Sequence, residues 1–437
     1  MKQNENTPLT SFQPLRVAVL IDLPRQPTSG GHVKGWEKMA HALAAIPPQE
    51  AELDLTLYFS GEESTQELAP HVRIRQLPPV FSTRKLQKIL PYVPDHTDLA
   101  SYHPALAKEL ASFDLIHTTD GFFCFAQTAE KLSESLRIPL TTSFHTDTVG
   151  YARLFTKLTI KKKLGQGWLS RLLIDKWKIP VRQEAQKMAC LRKHLSHCQC
   201  AFYTRQEDRD LAEDILGVRH VAMMHLGVDR QMVGPHRAAR GAVEEAYNIP
   251  PNHIVFIFVG RLDEGKNIYT LIEAMEQLIA QNQPVHLITA GLGPAAQDLT
   301  QRLGDHVTVA GFVAPDELAR LYASVDALAL TSKVEIRSMA AVEALTSALP
   351  VLAAEESTIP RLFDFTPAMT VVPAGAKAWA KAMADFVHDE NKRFHQRKVA
   401  LAFADTHIAD WIDVIQKDFL PHWQRICEET KSRMKNG

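Results

Sequence analysis

Two doubly wound α/β domains are what this sequence predicts, and three observations carry the reading. Short apolar runs of strand length alternate with stretches of helical period along most of the chain. The pattern restarts once, near residue 250, and 437 residues are too many for a single hydrophobic core.

In order, "LRVAVLIDLP" reads as a buried strand, "PTSGGH" as a glycine loop and "VKGWEKMAHALAAI" as a helix. "LDLTLYFS", "VRIRQLP", "FDLIHTTD" and "IPLTTSFHT" follow as strands, with helical spacers between several of them. The second half begins at "HIVFIFVGR", continues through the helix "NIYTLIEAMEQLIA", and adds the strands "VHLITAG", "VTVAGF", "VDALALTS" and "LPVLAAE". Such alternation implies parallel sheets joined by right-handed crossovers. The boundary falls near "LGVDRQMVGPHRAARGAVEEAYNIPPN", which divides the chain into a first domain, 1–226, and a second, 227–408; residues 409–437 read as helix beyond the last strand signal.

Composition narrows the function. No apolar run is long enough to span a bilayer, and the polar start "MKQNENTPLTSFQ" lacks the apolar core of a secretory signal, so a cytoplasmic protein is expected. Five scattered cysteines read as reduced thiols; "CLRKHLSHCQC" has the residue types of a metal site but not the wider paired spacing of one. The net charge of −1 gives no reason to expect nucleic acid as a partner. The charge is uneven, however: twelve Lys/Arg against two Asp/Glu lie between Arg153 and Lys193.

In doubly wound sheets, ligands bind beyond the carboxyl ends of the strands. Three turns of the second half stand there. "FVGRLDEGKN" carries Gly260, Arg261 and Lys266; two cations beside a glycine and a helix start suit a diphosphate. "AGLGP" carries Gly293. "TSKVEIRSMAAVEAL" carries Glu335 and Glu343 eight positions apart, Ser338 as a helix N-cap, and the amides of Met339 and Ala340.

These motifs, with "SGGHVKGWEKMAHAL", "SFHTD", "LGVD" and "VAGFVAPDELARLYASVDALALTS", resemble the retaining glycosyltransferases of family 4, the glycosyl transferases group 1, over nearly the whole chain. The resemblance implies the GT-B fold, two Rossmann-like domains facing across a cleft, with helix 409–437 crossing back onto the first. It implies transfer of a hexose from a UDP- or GDP-linked sugar to a hydroxyl, with retention of configuration and no further cofactor. Glu335 would meet hydroxyls of the donor sugar and Glu343 the ribose. Arg261 and Lys266 would neutralise the diphosphate, and the backbone near Phe312 and Val313 would meet the base. Gly30 and Gly31 would let a loop approach the donor phosphate, and His145 would reach the transferred sugar. His117, Asp120 and Asp147 are expected on the acceptor side. No Asp-x-Asp stands at a strand end, so no metal is expected. The chain departs from the family in having Arg337 and Ser338 where an aromatic residue and a glycine are usual, Ala348 for another usual glycine, and Met224-His225 before "LGVD".

The basic segment points to the acceptor. "GWLSRLLIDKWKIP" places Trp168, Leu169, Leu172, Leu173 and Trp177 on one helical side, ending at Pro180, with Arg171 and Lys178 largely opposite and Lys161, Lys162 and Lys163 upstream. Basic helices carrying tryptophan suit an anionic membrane surface, and the phosphatidylinositol mannosyltransferases of the same family carry a comparable region. A lipid or lipid-linked acceptor and peripheral attachment at the inner membrane face are therefore expected. A GT-B epimerase, and a protein of this fold that binds nucleotide sugar without turnover, are the alternatives.

Overall fold

The structure, a computed structural model, describes residues 14–26, 29–82, 98–145, 147–165, 167–333 and 338–436. Its first sheet contains β1 (Leu15–Pro24), β2 (Leu53–Ser60), β3 (Ser64–Ala69), β4 (Val72–Leu77), β5 (Leu115–Thr118), β6 (Leu140–Ser143), β7 (Cys200–Tyr203) and β8 (Val221–Met223). The order across the sheet is β3-β4-β2-β1-β5-β6-β7-β8, with only the β3–β4 pair antiparallel. Central β1 is buried from Val17 to Asp22, as expected of a strand covered by helices on both faces.

A two-residue strand, β9 (Gly227–Val228), follows, and then the second sheet: β10 (Ile254–Val259), β11 (Val285–Ala290), β12 (Val307–Gly311), β13 (Ala327–Leu330), β14 (Val351–Ala354) and β15 (Met369–Val372). Its order is β12-β11-β10-β13-β14-β15, all parallel. The strand order reverses between β1 and β5 in the first sheet and between β10 and β13 in the second, the two places where a doubly wound sheet opens a crevice. The chain recrosses at β16 (Ala409–Asp410), which pairs with β9. Beyond it Trp411, Val414, Ile415, Phe419, Trp423 and Ile426 pack into the core of the first sheet with Val17, Val19 and Trp36. The molecule is thus a GT-B fold of two Rossmann-like domains, held by a carboxyl-terminal segment that rejoins the first.

Candidate functional site

At the carboxyl end of β10 the chain turns through Gly260 and Arg261, and Asp263 caps the next turn by accepting from the Lys266 amide at 3.0 Å. The β13 loop is tied to this turn. Thr331 Oγ1 donates to the Lys266 carbonyl at 3.0 Å, and Asn267 Nδ2 donates to the Thr331 carbonyl at 3.1 Å. Lys266 is therefore fixed to both strands at the switch point. After β13, Ser338 caps the helix Met339–Thr346 by accepting from the Ala341 amide at 3.2 Å. Lys266, Thr331, Ser332, Ser338, Met339, Ala340 and Glu343 line one cavity of ≈ 190 Å³ with Tyr322.

The facing domain meets two of the lining residues, Glu343 and Met339. Lys38, on the helix Gly31–Ala44, ion-pairs with Glu343 at 2.9 Å. Tyr322 is fully buried beneath. Burial, with the nearby Glu343 carboxylate, holds its phenol well above the ordinary value. At Gly31 a Cβ would come to 2.9 Å of the Met339 side chain, so glycine permits the two domains to meet here. Lys38 and Tyr322 were not singled out in the sequence. Each lies within a helix, where local periodicity does not reveal a contact with a residue distant in sequence.

The other sequence candidates are placed as follows. Glu335 and Arg337 lie outside the described residues. Arg261 is largely solvated, 3.4 Å from Asp263, and does not line the cavity. Gly293 lies against the Leu262 carbonyl, which stitches its turn to the Arg261 loop. Phe312, half exposed, and Val313 follow β12 outside the cavity lining. Gly30 precedes the first helix with open space around it.

His145 follows β6, nearly buried, with its ring stacked on His32 at 4.4 Å. Asp147 caps the helix Thr148–Leu164, accepting from the Gly150 amide at 2.8 Å. Asp120 accepts from the amides of Phe122 and Phe123, and burial raises its carboxyl. Beside it sits Asp22, fully buried at the end of β1 and absent from the sequence reading. Burial, then the Asp120 charge, pushes its carboxyl well up. The expectation for His117 is corrected. It has no exposed surface, bonds Thr141 and Ser143, and packs among Trp36, Phe202, Phe419 and Trp423, so it cannot touch an acceptor.

The basic segment is also partly corrected. Trp168–Arg171 is α-helical, Leu172–Lys176 forms a π-turn, and Lys178 adopts a left-handed conformation. Pro180 opens the next helix, Ile179–His197, and does not end the preceding one. Trp168 is 76% exposed and Trp177 51%, and Lys161, Lys162, Lys163, Arg171 and Lys178 are exposed around them. In "CLRKHLSHCQC" His194 bonds Glu130 and Thr118, and among the described residues no group of His, Cys, Asp and Glu could hold a metal. No helix among the described residues is long and apolar enough to cross a membrane.

Comparison with known proteins agrees with this geometry. Residues 240–401 match the family described as glycosyl transferases group 1. The chain is 25% identical to a D-inositol 3-phosphate glycosyltransferase of Corynebacterium kroppenstedtii over 391 residues, 78% of this chain and 80% of that one. It is also 25% identical to an alpha-D-kanosaminyltransferase of Streptomyces kanamyceticus over 220 residues, 49% of this chain and 56% of the relative. The chain spans about half the length of the first curated relatives it matches. Among solved structures, sucrose-phosphate synthase from Thermosynechococcus elongatus superposes with a TM-score of 0.67 at 18% identity, covering 97% of this chain and 98% of that one. HepE of Anabaena, in complex with UDP and glucose, gives 0.62 at 16% identity, covering 96% and 100%.

Proposed function

We propose that this chain, whose residues 240–401 match the glycosyl transferases group 1, moves a hexose from a nucleoside diphosphate sugar to a hydroxyl acceptor. The observation that carries the reading is one cavity at the β10/β13 switch point where Lys266, the capped start of the helix Met339–Thr346 and Glu343 converge. A cation and helix amides suit a diphosphate, and a carboxylate one helical turn further on suits a ribose diol. The bound UDP in HepE, a protein of the same fold, supports a nucleoside diphosphate as the carrier.

In the proposed reaction the acceptor oxygen attacks the anomeric carbon on the face that the leaving group vacates. The bond from that carbon to the β-phosphate oxygen breaks, and the acceptor proton passes to a phosphate oxygen. Configuration is retained, and no protein base is required. Lys266, Arg261 and the helix amides stabilise the charge that builds on the diphosphate. Glu335 holds the donor sugar. No metal enters this scheme. The exposed tryptophans within a lysine-rich surface support a lipid or lipid-linked acceptor at an anionic membrane.

A panel of UDP- and GDP-sugars, followed by nucleoside diphosphate release with soluble and lipid acceptors, tests the reading. One donor should support release that rises with acceptor, persists in chelator and gives a product of unchanged anomeric configuration. No release and no thermal stabilisation with any donor would refute it.

A further inference from the structure

We propose that Trp36, Ser143 and His117 hold His145 as the tautomer protonated on Nδ1, so that it serves the site as a hydrogen-bond donor and not as a base. The proposal deepens the transferase reading, since it rests on His145 belonging to the transfer site.

The direction of one buried hydrogen-bond run decides the matter. An indole N–H can only donate. Trp36 is fully buried, and its Nε1 lies 3.2 Å from His145 Nε2. A proton on that nitrogen would set two N–H groups head to head and leave the indole without this acceptor, so Nε2 must be bare. Ser143 Oγ lies 2.7 Å from the same nitrogen and must therefore give it its hydrogen. Having donated there, Ser143 can only accept from His117 Nε2, 2.8 Å away. His117 then carries its proton on Nε2 and takes the Thr141 hydroxyl hydrogen on Nδ1, at 2.8 Å. Each donor meets an acceptor. Reversing the run would break the match at Trp36.

Two further features fix the arrangement. Complete burial keeps His117 neutral, with its pKa pushed down to about 3, so it does not acquire a second donor near neutral pH. The His32 ring, stacked at 4.4 Å and 3° from parallel, sets the plane of His145. The single lone pair on Nε2 is already shared by two donors, and the other ring nitrogen bears hydrogen. Neither can accept the acceptor's proton. Trp36, Ser143 and His117 are positioning residues, because they act on the site through His145.

Nitrogen-15 NMR of the full chain with labelled histidine reads the tautomer directly, with the His145 signals identified by their loss in His145→Asn. Nδ1 should show a directly bonded proton and Nε2 the shift of an unprotonated imidazole nitrogen; the reverse would overturn the proposal. Ser143→Ala should keep the pattern through Trp36, whereas Ser143→Ala with Trp36→Phe should give mixed tautomers. An unchanged pattern in the pair would show that these residues do not set it. An asparagine amide falls near the Nδ1 position and a glutamine amide near Nε2. His145→Asn should therefore keep about tenfold more kcat than His145→Gln, the rate equivalent of about one hydrogen bond. Equal loss in both, with the wild-type NMR pattern as proposed, would overturn the donor role and leave the tautomer assignment standing.

Discussion

The Glu343 carboxylate lies 2.9 Å from Lys38 of the facing domain, and a nucleotide ribose would have to share it. A carboxylate has about four lone-pair sites, so both can be accommodated. The two cations of the β10 turn differ more sharply. Lys266 is tied to the β13 loop and lines the cavity, whereas Arg261 is largely solvated beside Asp263. Lys266→Ala should cost about 2–4 kcal/mol of transition-state stabilisation, the scale of a lost preorganised donor, and Arg261→Ala less; steady-state kcat/KM measures both. Glu335→Gln should lower turnover sharply while nucleoside diphosphate affinity is kept, which single-turnover rates beside equilibrium binding would separate. At this scale the strand-end positions were legible, because a turn after an apolar run announces itself locally. His117 was misread for the same reason. It stands at a strand end, but its partners are Thr141 and Ser143 on the next strand, which sequence spacing does not bring together.

The helix Met339–Thr346 brings site and stability together. It ends with the Leu349 amide bonding the Ala344 carbonyl at 2.8 Å and the Ala348 amide bonding that of Leu345 at 3.1 Å, a Schellman motif. Ala348, at the left-handed position, has φ 58°. An L-residue pays roughly 1–2 kcal/mol there, so Ala348→Gly should raise stability by about 1 kcal/mol in urea unfolding, with the cavity unchanged. In the basic segment the sequence showed the amphipathic composition but not the π-turn or the break at Lys178, which depend on how Thr148–Leu164 and Ile179–His197 pack together. Each exposed Lys or Arg near an anionic surface contributes about 1 kcal/mol. Vesicle co-sedimentation should accordingly show binding that needs anionic lipid, fades with salt and weakens in Trp168→Ala/Trp177→Ala. Binding to neutral vesicles alone would point elsewhere.

Across the whole molecule, the central strands were readable because burial on both faces gives continuous apolar runs. β3 and β15 were not: each is a short edge strand, and "STQELA" is mostly exposed. Burial also shapes the pH response. It pushes His286 down to about 4, so between that pH and 6.5 the unfolded chain binds a proton that the folded one does not. Stability must then rise with pH across this window and fall on acidification, and His286→Gln should flatten the slope of Tm against pH there. The central claim is that a nucleoside diphosphate sits between Lys266 and Glu343, and its most direct test is calorimetric titration of UDP and GDP into the wild type and Glu343→Ala. The account predicts saturable one-to-one binding of one nucleotide, weakened roughly ten- to a hundredfold in the variant by loss of hydrogen bonds to a charged group. Binding of neither nucleotide to the wild type, or equal affinity in Glu343→Ala, would contradict it.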